Sequence, residues 1–198
     1  MLRALKDNSF RKLAHRMLAG VIPLAQPGVH PTMEKRSAGL MIADAPLPPL
    51  LVLPLRQHIG EACVPIVEIG AKVLRGQKVA KSKGYVSAPI HAPTSGTIVN
   101  IEQHPIVHPS GIGMRSIFLE PDGEDRWCED LHPMPDYAKR DIVEVREQIR
   151  IGGIAGLGGA TFPTFIKLVR DPNHPIDTLI LNGIECEPWL TCDHRVMV

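Results

Sequence analysis

Apolar residues recur along the chain in two rhythms, and the change from one to the other divides it. In residues 1–20, Leu2, Leu5, Leu13, Met17 and Leu18 stand mostly three and four apart among basic side chains, which predicts a short amphipathic helix with a basic face. It reads as a solvated terminal helix, with a membrane-surface helix as the alternative. Proline then takes over. Fifteen of the 19 prolines lie before Ala138, and with frequent glycine they forbid long helices over that stretch. Short β-type runs replace them at 50–55 (LLVLPL), 64–70 (VPIVEIG), 72–80 (KVLRGQKVA), 96–102 (GTIVNIE) and 116–121 (SIFLEP). Turns such as Arg75-Gly76, Lys83-Gly84 and Pro121-Asp122-Gly123 part them, so a small all-β barrel or sandwich with few exposed edges is expected.

The second rhythm begins at Ala138. Ile142, Val145 and Ile149 fall on one stripe at helical spacing, predicting a helix over 138–151 that Gly152 and Gly153 end. A glycine-rich loop follows, then a second helix over 162–170 with Pro163 in its first turn, then a buried strand over 178–183 (TLILNG). Helix, glycine loop, helix, strand is the order of an α/β nucleotide-binding layer. The fold class expected is therefore α+β: a basic segment over 1–26, a β-rich domain over 27–125, an acidic linker over 126–137 and the beginning of a Rossmann-like α/β domain over 138–198. The linker is set by charge, ten acidic residues against four basic ones between Glu120 and Glu147.

Composition narrows the functions. A net charge of +1 leaves no basic excess to neutralise a phosphate backbone, which argues against nucleic acid as a partner. The longest apolar run, 45–55, is too short to span a bilayer and holds four prolines. Cys63, Cys128, Cys186 and Cys192 show no C-x-x-C spacing, so a zinc ribbon, a thioredoxin motif and a self-contained iron–sulfur ferredoxin are not expected. Buried or inert thiols in a reducing compartment are the simplest reading. No apolar core follows the basic N-terminus, and no export signal is read.

The strongest chemical signal is Gly156-Leu157-Gly158-Gly159-Ala160-Thr161-Phe162-Pro163-Thr164 with Lys167 after it. Clustered glycines let backbone approach a ligand, and N–H groups at a following helix start, with a lysine, suit a phosphate. Neither the G-x-G-x-x-G nor the Walker spacing is met, and a tight turn between two helices is the bland alternative. A second signal is Asn182-Gly183-Ile184-Glu185-Cys186-Glu187-Pro188 after the expected strand, where an amide and two carboxylates could bind sugar or ribityl hydroxyls; an ordinary Asn-Gly turn is its alternative. His91, His104 and His108 share one region, but proline follows two of them and no acidic or cysteine ligand stands at metal spacing. No metal site is expected.

The stretch 70–80 (GAKVLRGQKVA) with 92–98 (APTSGTI) resembles the barrel-sandwich hybrid of lipoyl and biotinyl carrier domains. Lys81 and Lys83 lack the M-K or D-K context of a modified lysine, so a scaffold is the better reading. Taken with 28–38 (GVHPTMEKRSA), 51–80, 87–102, 108–113 (HPSGIG), 153–168 and 179–197, these segments resemble the RnfC component of the Rnf/Rsx ion-translocating electron-transport complex. The resemblance implies a subunit peripheral to the cytoplasmic face of the bacterial inner membrane, passing electrons between NAD(H) and ferredoxin-type carriers while integral subunits move ions. The last third is similar to the FMN- and NADH-binding subunit of respiratory complex I. By that likeness Gly156, Gly158, Gly159, Lys167, Asn182 and Glu185 hold FMN, and Glu187 lies near the nicotinamide. Leu157, Thr161 and Ile184 depart from the complex I pattern, which has arginine, glycine and an acidic residue there. The family's C-terminal part, with its [4Fe–4S] cluster motifs, is not among these 198 residues, so the resemblance implies an N-terminal fragment. A structural docking module of the same complex, with no flavin site of its own, is the competing function; a carrier modified on Lys81 or Lys83 is the third.

Overall fold

The computed structural model describes residues 31–106, 111–157, 161–169, 171, 173–180, 182–183, 185 and 187–198. The expected helix over 1–20 lies outside the described residues, as do His108, Gly158, Gly159, Ile184 and Cys186. Two compact units are formed, one of residues up to Leu40 together with Gly183–Val198, the other of Met41–Asn182. No helix among the described residues is long and apolar enough to cross a membrane.

The larger unit is built on seven strands: β1 (Leu51–Pro54), β2 (Val64–Pro65), β3 (Lys72–Val73), β4 (Lys78–Lys81), β5 (Ile90–His91), β6 (Gly96–Pro105) and β7 (Gly113–Pro121). They form a four-stranded sheet in the order β1-β7-β6-β3 and a three-stranded sheet in the order β2-β4-β5, with every pairing antiparallel. Leu119 faces both Leu51 and Ile98 across β7, and a bulge between Ile98 and Asn100 bends β6. Side chains alternating inward from both sheets meet in one core, where Val73, Val79, Ile98, Ile117 and Leu119 are almost wholly buried. The run at 72–80 divides into two strands about the expected Arg75-Gly76 turn, and the two-residue β5 falls in no expected run. Sequence patterning misses so short a strand because two residues carry no period.

The motif residues hold the turns of this sandwich. Gly70 (φ +88°) and Gly76 (φ +80°) take left-handed backbone, and the Gln77 side chain accepts the Leu74 amide at 2.9 Å, closing the turn between β3 and β4. Ser95 donates to Asp122 (2.6 Å) and accepts the Arg126 amide (2.9 Å), tying the start of β6 to the end of β7. That hydroxyl, then the Glu124 amide and the Arg126 guanidinium, lower the Asp122 carboxyl to about 2. The acidic stretch is not loose where it begins. Arg75 pairs with Asp125 (2.5 Å), lies over the Trp127 ring (4.1 Å) and exchanges backbone hydrogen bonds with Arg126 and Cys128.

After a 3-10 turn at Tyr137–Lys139 comes α1 (Ile142–Ile151), shorter at its start than the expected 138–151 because Asp141 caps it, accepting the Val143 amide at 2.7 Å. The second helix, α2 (Thr164–Lys167), is a single turn. Only Phe165 of it is buried, so little packing supports further turns of the expected 162–170 helix. The expected strand over 178–183 is absent among the described residues, and Leu179 and Ile180 are more than four-fifths exposed. A buried strand needs a partner strand for its backbone, and among the described residues neither sheet pairs with this run.

Leu119→Ala tests the sandwich. It opens a cavity between both facing strands and is expected to lower the unfolding free energy by about 3 kcal/mol, read from urea denaturation.

Candidate flavin-phosphate loop

The glycine loop is assembled by the way α1 ends. The Gly153 amide donates to the Arg150 carbonyl (3.1 Å) and the Ile154 amide to the Ile149 carbonyl (3.3 Å), with Gly153 at φ +70°. This is a Schellman termination, and it requires glycine. Space requires glycine too, since a Cβ there would stand 2.4 Å from the Pro89 carbonyl oxygen and 3.2 Å from the His91 ring. The expectation that Gly152 and Gly153 stop the helix is met, and Gly153 also presses the chain against the start of β5.

From that point the described backbone on either side of the glycines pairs with itself. The Thr164 amide donates to the Ile154 carbonyl (2.9 Å), the Gly156 amide to the Phe162 carbonyl (3.0 Å), and Ala155 bridges Pro163. The two described flanks of the motif, 154–156 and 162–164, therefore pair with each other, and Leu157 beside them is fully exposed. A Cβ on Gly156 would lie 3.6 Å from Lys167 Nζ, so the ammonium at the end of α2 reaches back to the glycine flank. Lys167 is exposed and has no hydrogen bond or ion pair among the described residues. Thr161 adopts φ +47°. A β-branched residue there stores on the order of 1–3 kcal/mol of backbone strain.

Beside this loop lies a cleft that sequence reading did not find. It has a volume of about 790 Å³ and is lined by Lys78, His91, Cys128, Asp130, His132 and Gln148, among others, so β4, β5, the acidic stretch and the end of α1 all contribute. Burial, then the charge of Lys78, pushes the His91 imidazole below its ordinary value, partly offset by the Ile151 carbonyl. His104 instead sits edge-on to Phe118, ring centres 5.2 Å apart. Lys83, a carrier candidate, pairs with Glu61 at 3.2 Å.

Asn182 is the last residue of the larger unit, while Glu185 and Glu187 belong to the smaller one. There a helix, α3 (Cys192–Met197), begins at Thr191, whose hydroxyl bonds Ser37 (2.7 Å) instead of capping its own helix. Glu185 (φ +69°) supplies the cap, accepting the His194 amide at 3.1 Å. Burial opposes ionisation of Glu185, but the amides of His194 and Asp193, the Cys192 thiol and the charge of Lys35 together hold its carboxyl below the usual range. Cys192 donates to Glu185 at 3.4 Å, and that bond raises its thiol pKa. Cys192 is exposed, and its raised pKa agrees with the inert alternative of the expected buried or inert thiols. Glu185, Cys192 and Asp193 place ligand atoms within 4.8 Å of one another, a grouping that the capping and thiol hydrogen bonds account for. Among the described cysteines Cys63 is the buried one; it donates to the Ala88 carbonyl at 3.0 Å, and desolvation raises its pKa.

Comparison with known proteins fixes the family. Residues 25–124 match the RnfC barrel sandwich hybrid domain. The chain belongs to the RnfC family. Residues 149–198 match the Nuo51 FMN-binding domain, so that match begins in the last turn of α1 and takes in the glycine loop. The chain is 47% identical over 167 residues to the C component of the ion-translocating oxidoreductase complex of Pseudomonas aeruginosa, covering 84% of this chain and 21% of that protein. Over 172 residues it is 44% identical to the component of that name in Rhodobacter capsulatus, 86% of this chain and 33% of that one. It is 43% identical to the C component of the proton-translocating ferredoxin:NAD(+) oxidoreductase complex of Clostridium ljungdahlii, 86% of this chain and 37% of that one. The chain thus spans a fifth to somewhat over a third of the length of these relatives. The expected fold class holds, with the barrel-sandwich hybrid followed by the start of an α/β domain.

The lowered pKa of His91 has a consequence for stability. Neutral His91 is favoured in the fold, so its contribution is full above the ordinary imidazole value of about 6.5 and is lost as pH falls through the lower folded value. Urea denaturation between about pH 7.5 and about pH 5.5 is expected to show declining stability, and His91→Gln to flatten that decline.

Proposed function

We propose that this chain is part of an electron-transfer subunit of a membrane-bound, ion-translocating NADH:ferredoxin-type oxidoreductase, and that its glycine loop holds the phosphate of FMN. The observation that carries the reading is the reach of Lys167 Nζ to within 3.6 Å of the Cβ position that Gly156 leaves empty. A cation unpaired among the described residues and facing a glycine cradle suits a phosphate dianion, which would take the ammonium and nearby backbone N–H groups as donors. Gly158 and Gly159, which lie outside the described residues, are assigned to the same cradle by the motif. Asn182 and Glu185 are assigned to the flavin and Glu187 to the nicotinamide.

FMN, when bound, supplies the conversion of a hydride pair into single electrons. This chain's own part is to bind and orient it. Lys167 neutralises phosphate charge, and the closed pairing of 154–156 with 162–164 fixes where the glycine backbone stands. NAD(H) is the proposed electron donor or acceptor. The [4Fe–4S] clusters are assigned to the additional length of the family's longer members, and the proposed partners are integral and ferredoxin-type subunits at the cytoplasmic face of a bacterial inner membrane. The proposed modules are a β domain over 27–125, an acidic linker over 126–137 and a partial flavin domain over 138–198, with a basic segment over 1–26.

One observation favours the docking-module reading instead. Thr161 strains the loop at the position where the resembled families carry glycine. Flavin binding separates the two. Lys167→Ala is expected to weaken FMN binding to the 198-residue chain by about tenfold or more, read as flavin fluorescence in a titration. Gly156→Ala meets only ordinary contacts, so it is expected to keep the unfolding midpoint while placing a methyl group in the cradle and reducing affinity. Unchanged affinity in both variants contradicts the phosphate assignment and leaves docking as the function.

A further inference from the structure

The segment 28–38 is among those that carry the family resemblance, yet nothing in the flavin chemistry accounts for it. In the smaller unit its described part lies along residues 187–195. Lys35 Nζ donates to the carbonyls of Glu187 (3.3 Å) and Leu190 (2.5 Å), and the Arg36 guanidinium lies 5.0 Å from the centre of the Trp189 ring. Ser37 bonds the hydroxyl of Thr191, and Arg195 donates back to the Ala38 carbonyl at 3.4 Å. Four successive residues, Lys35 to Ala38, thus each make a bond or ring contact to one short loop and the helix after it.

We propose that Lys35 is a positioning residue, which by binding the Glu187 and Leu190 carbonyls holds the acidic loop in the shape that presents Glu185 and Glu187. One ammonium with three donors satisfies two carbonyls three residues apart, a bend that the backbone bond from the Leu190 amide to the Glu187 carbonyl (3.3 Å) shares. The bend ends at Thr191, nine-tenths buried, where Ser37 takes the hydroxyl that would otherwise cap α3. The vacant cap position is the one Glu185 fills, so the segment fixes Glu185 by occupying its competitor. Lys35 also adds charge that favours ionised Glu185.

The role assigned to the acidic loop rests on the flavin reading, and the clamp itself does not. Cys192 reports on the clamp without flavin, because its thiol is bonded to Glu185. Alkylation of the 198-residue chain by iodoacetamide, resolved by peptide mass spectrometry, is expected to proceed about threefold or more faster at Cys192 in Lys35→Ala, with Lys35→Arg restoring the slower rate. Protection of buried Cys63 verifies that the barrel is folded, and Ser37→Ala serves the same test should Lys35→Ala lose that protection. An unchanged Cys192 rate overturns the clamp. An FMN titration of the same proteins then tests the coupling: affinity falling about tenfold in Lys35→Ala and recovering in Lys35→Arg supports it. A faster Cys192 with undiminished FMN affinity overturns the positioning role, and a wild-type chain that binds no FMN removes the flavin reading while the alkylation result still decides the clamp.

Discussion

The larger unit turns on one close approach of backbone to backbone, Gly153 against Pro89. At this point α1 must stop, the chain must take a left-handed step, and the loop that follows must start from the face of the barrel. Only glycine satisfies all three, because any Cβ would collide with a carbonyl oxygen that is itself fixed beside β5. The glycine flank and the helix after it take their position from that contact. Ile154 and Gly156 pair with Thr164 and Phe162, α2 begins at once, and Lys167 is returned to the glycine flank. The barrel therefore gives the loop a fixed stop, because buried Pro89 leads directly into Ile90, a member of its core.

Much of this was legible in the sequence because the deciding residues act locally. Gly76-Gln77 announces a tight turn, and the structure closes it with the Gln77 side chain. Gly152-Gly153 announces a helix end, and a Schellman pair provides it. What was not legible depends on partners distant in sequence. The run 178–183 has the composition of a buried strand, but composition cannot supply neighbours, and its described residues are irregular and exposed. Helix α2 fell short for the same reason, having one buried side chain to hold it. The bonds of Lys35 and Ser37 span more than 150 residues in sequence, and no periodicity could foretell them.

The candidate site divides along the same line. Gly156 and Lys167 lie eleven positions apart, and the motif alone placed them together. That Glu185 caps a helix could not be read from the motif, because it required knowing that Ser37 had already taken the Thr191 hydroxyl. Thr161 was recognisable as an outlier by its side chain, and the positive φ it adopts locates the strain on the loop itself. Sites where a local rule is broken are commonly functional ones. Among the described residues, two of the three non-glycine residues with positive φ, Thr161 and Glu185, lie in the two segments assigned to flavin.

The central claim is that the loop recognises a phosphate, and the most direct measurement compares FMN with riboflavin, which differs only in lacking that group. Parallel titrations of the wild-type chain are expected to show FMN bound at least about tenfold more tightly, with the difference shrinking as salt is raised. Equal affinity for the two, or binding of neither, would contradict a phosphate site on this loop.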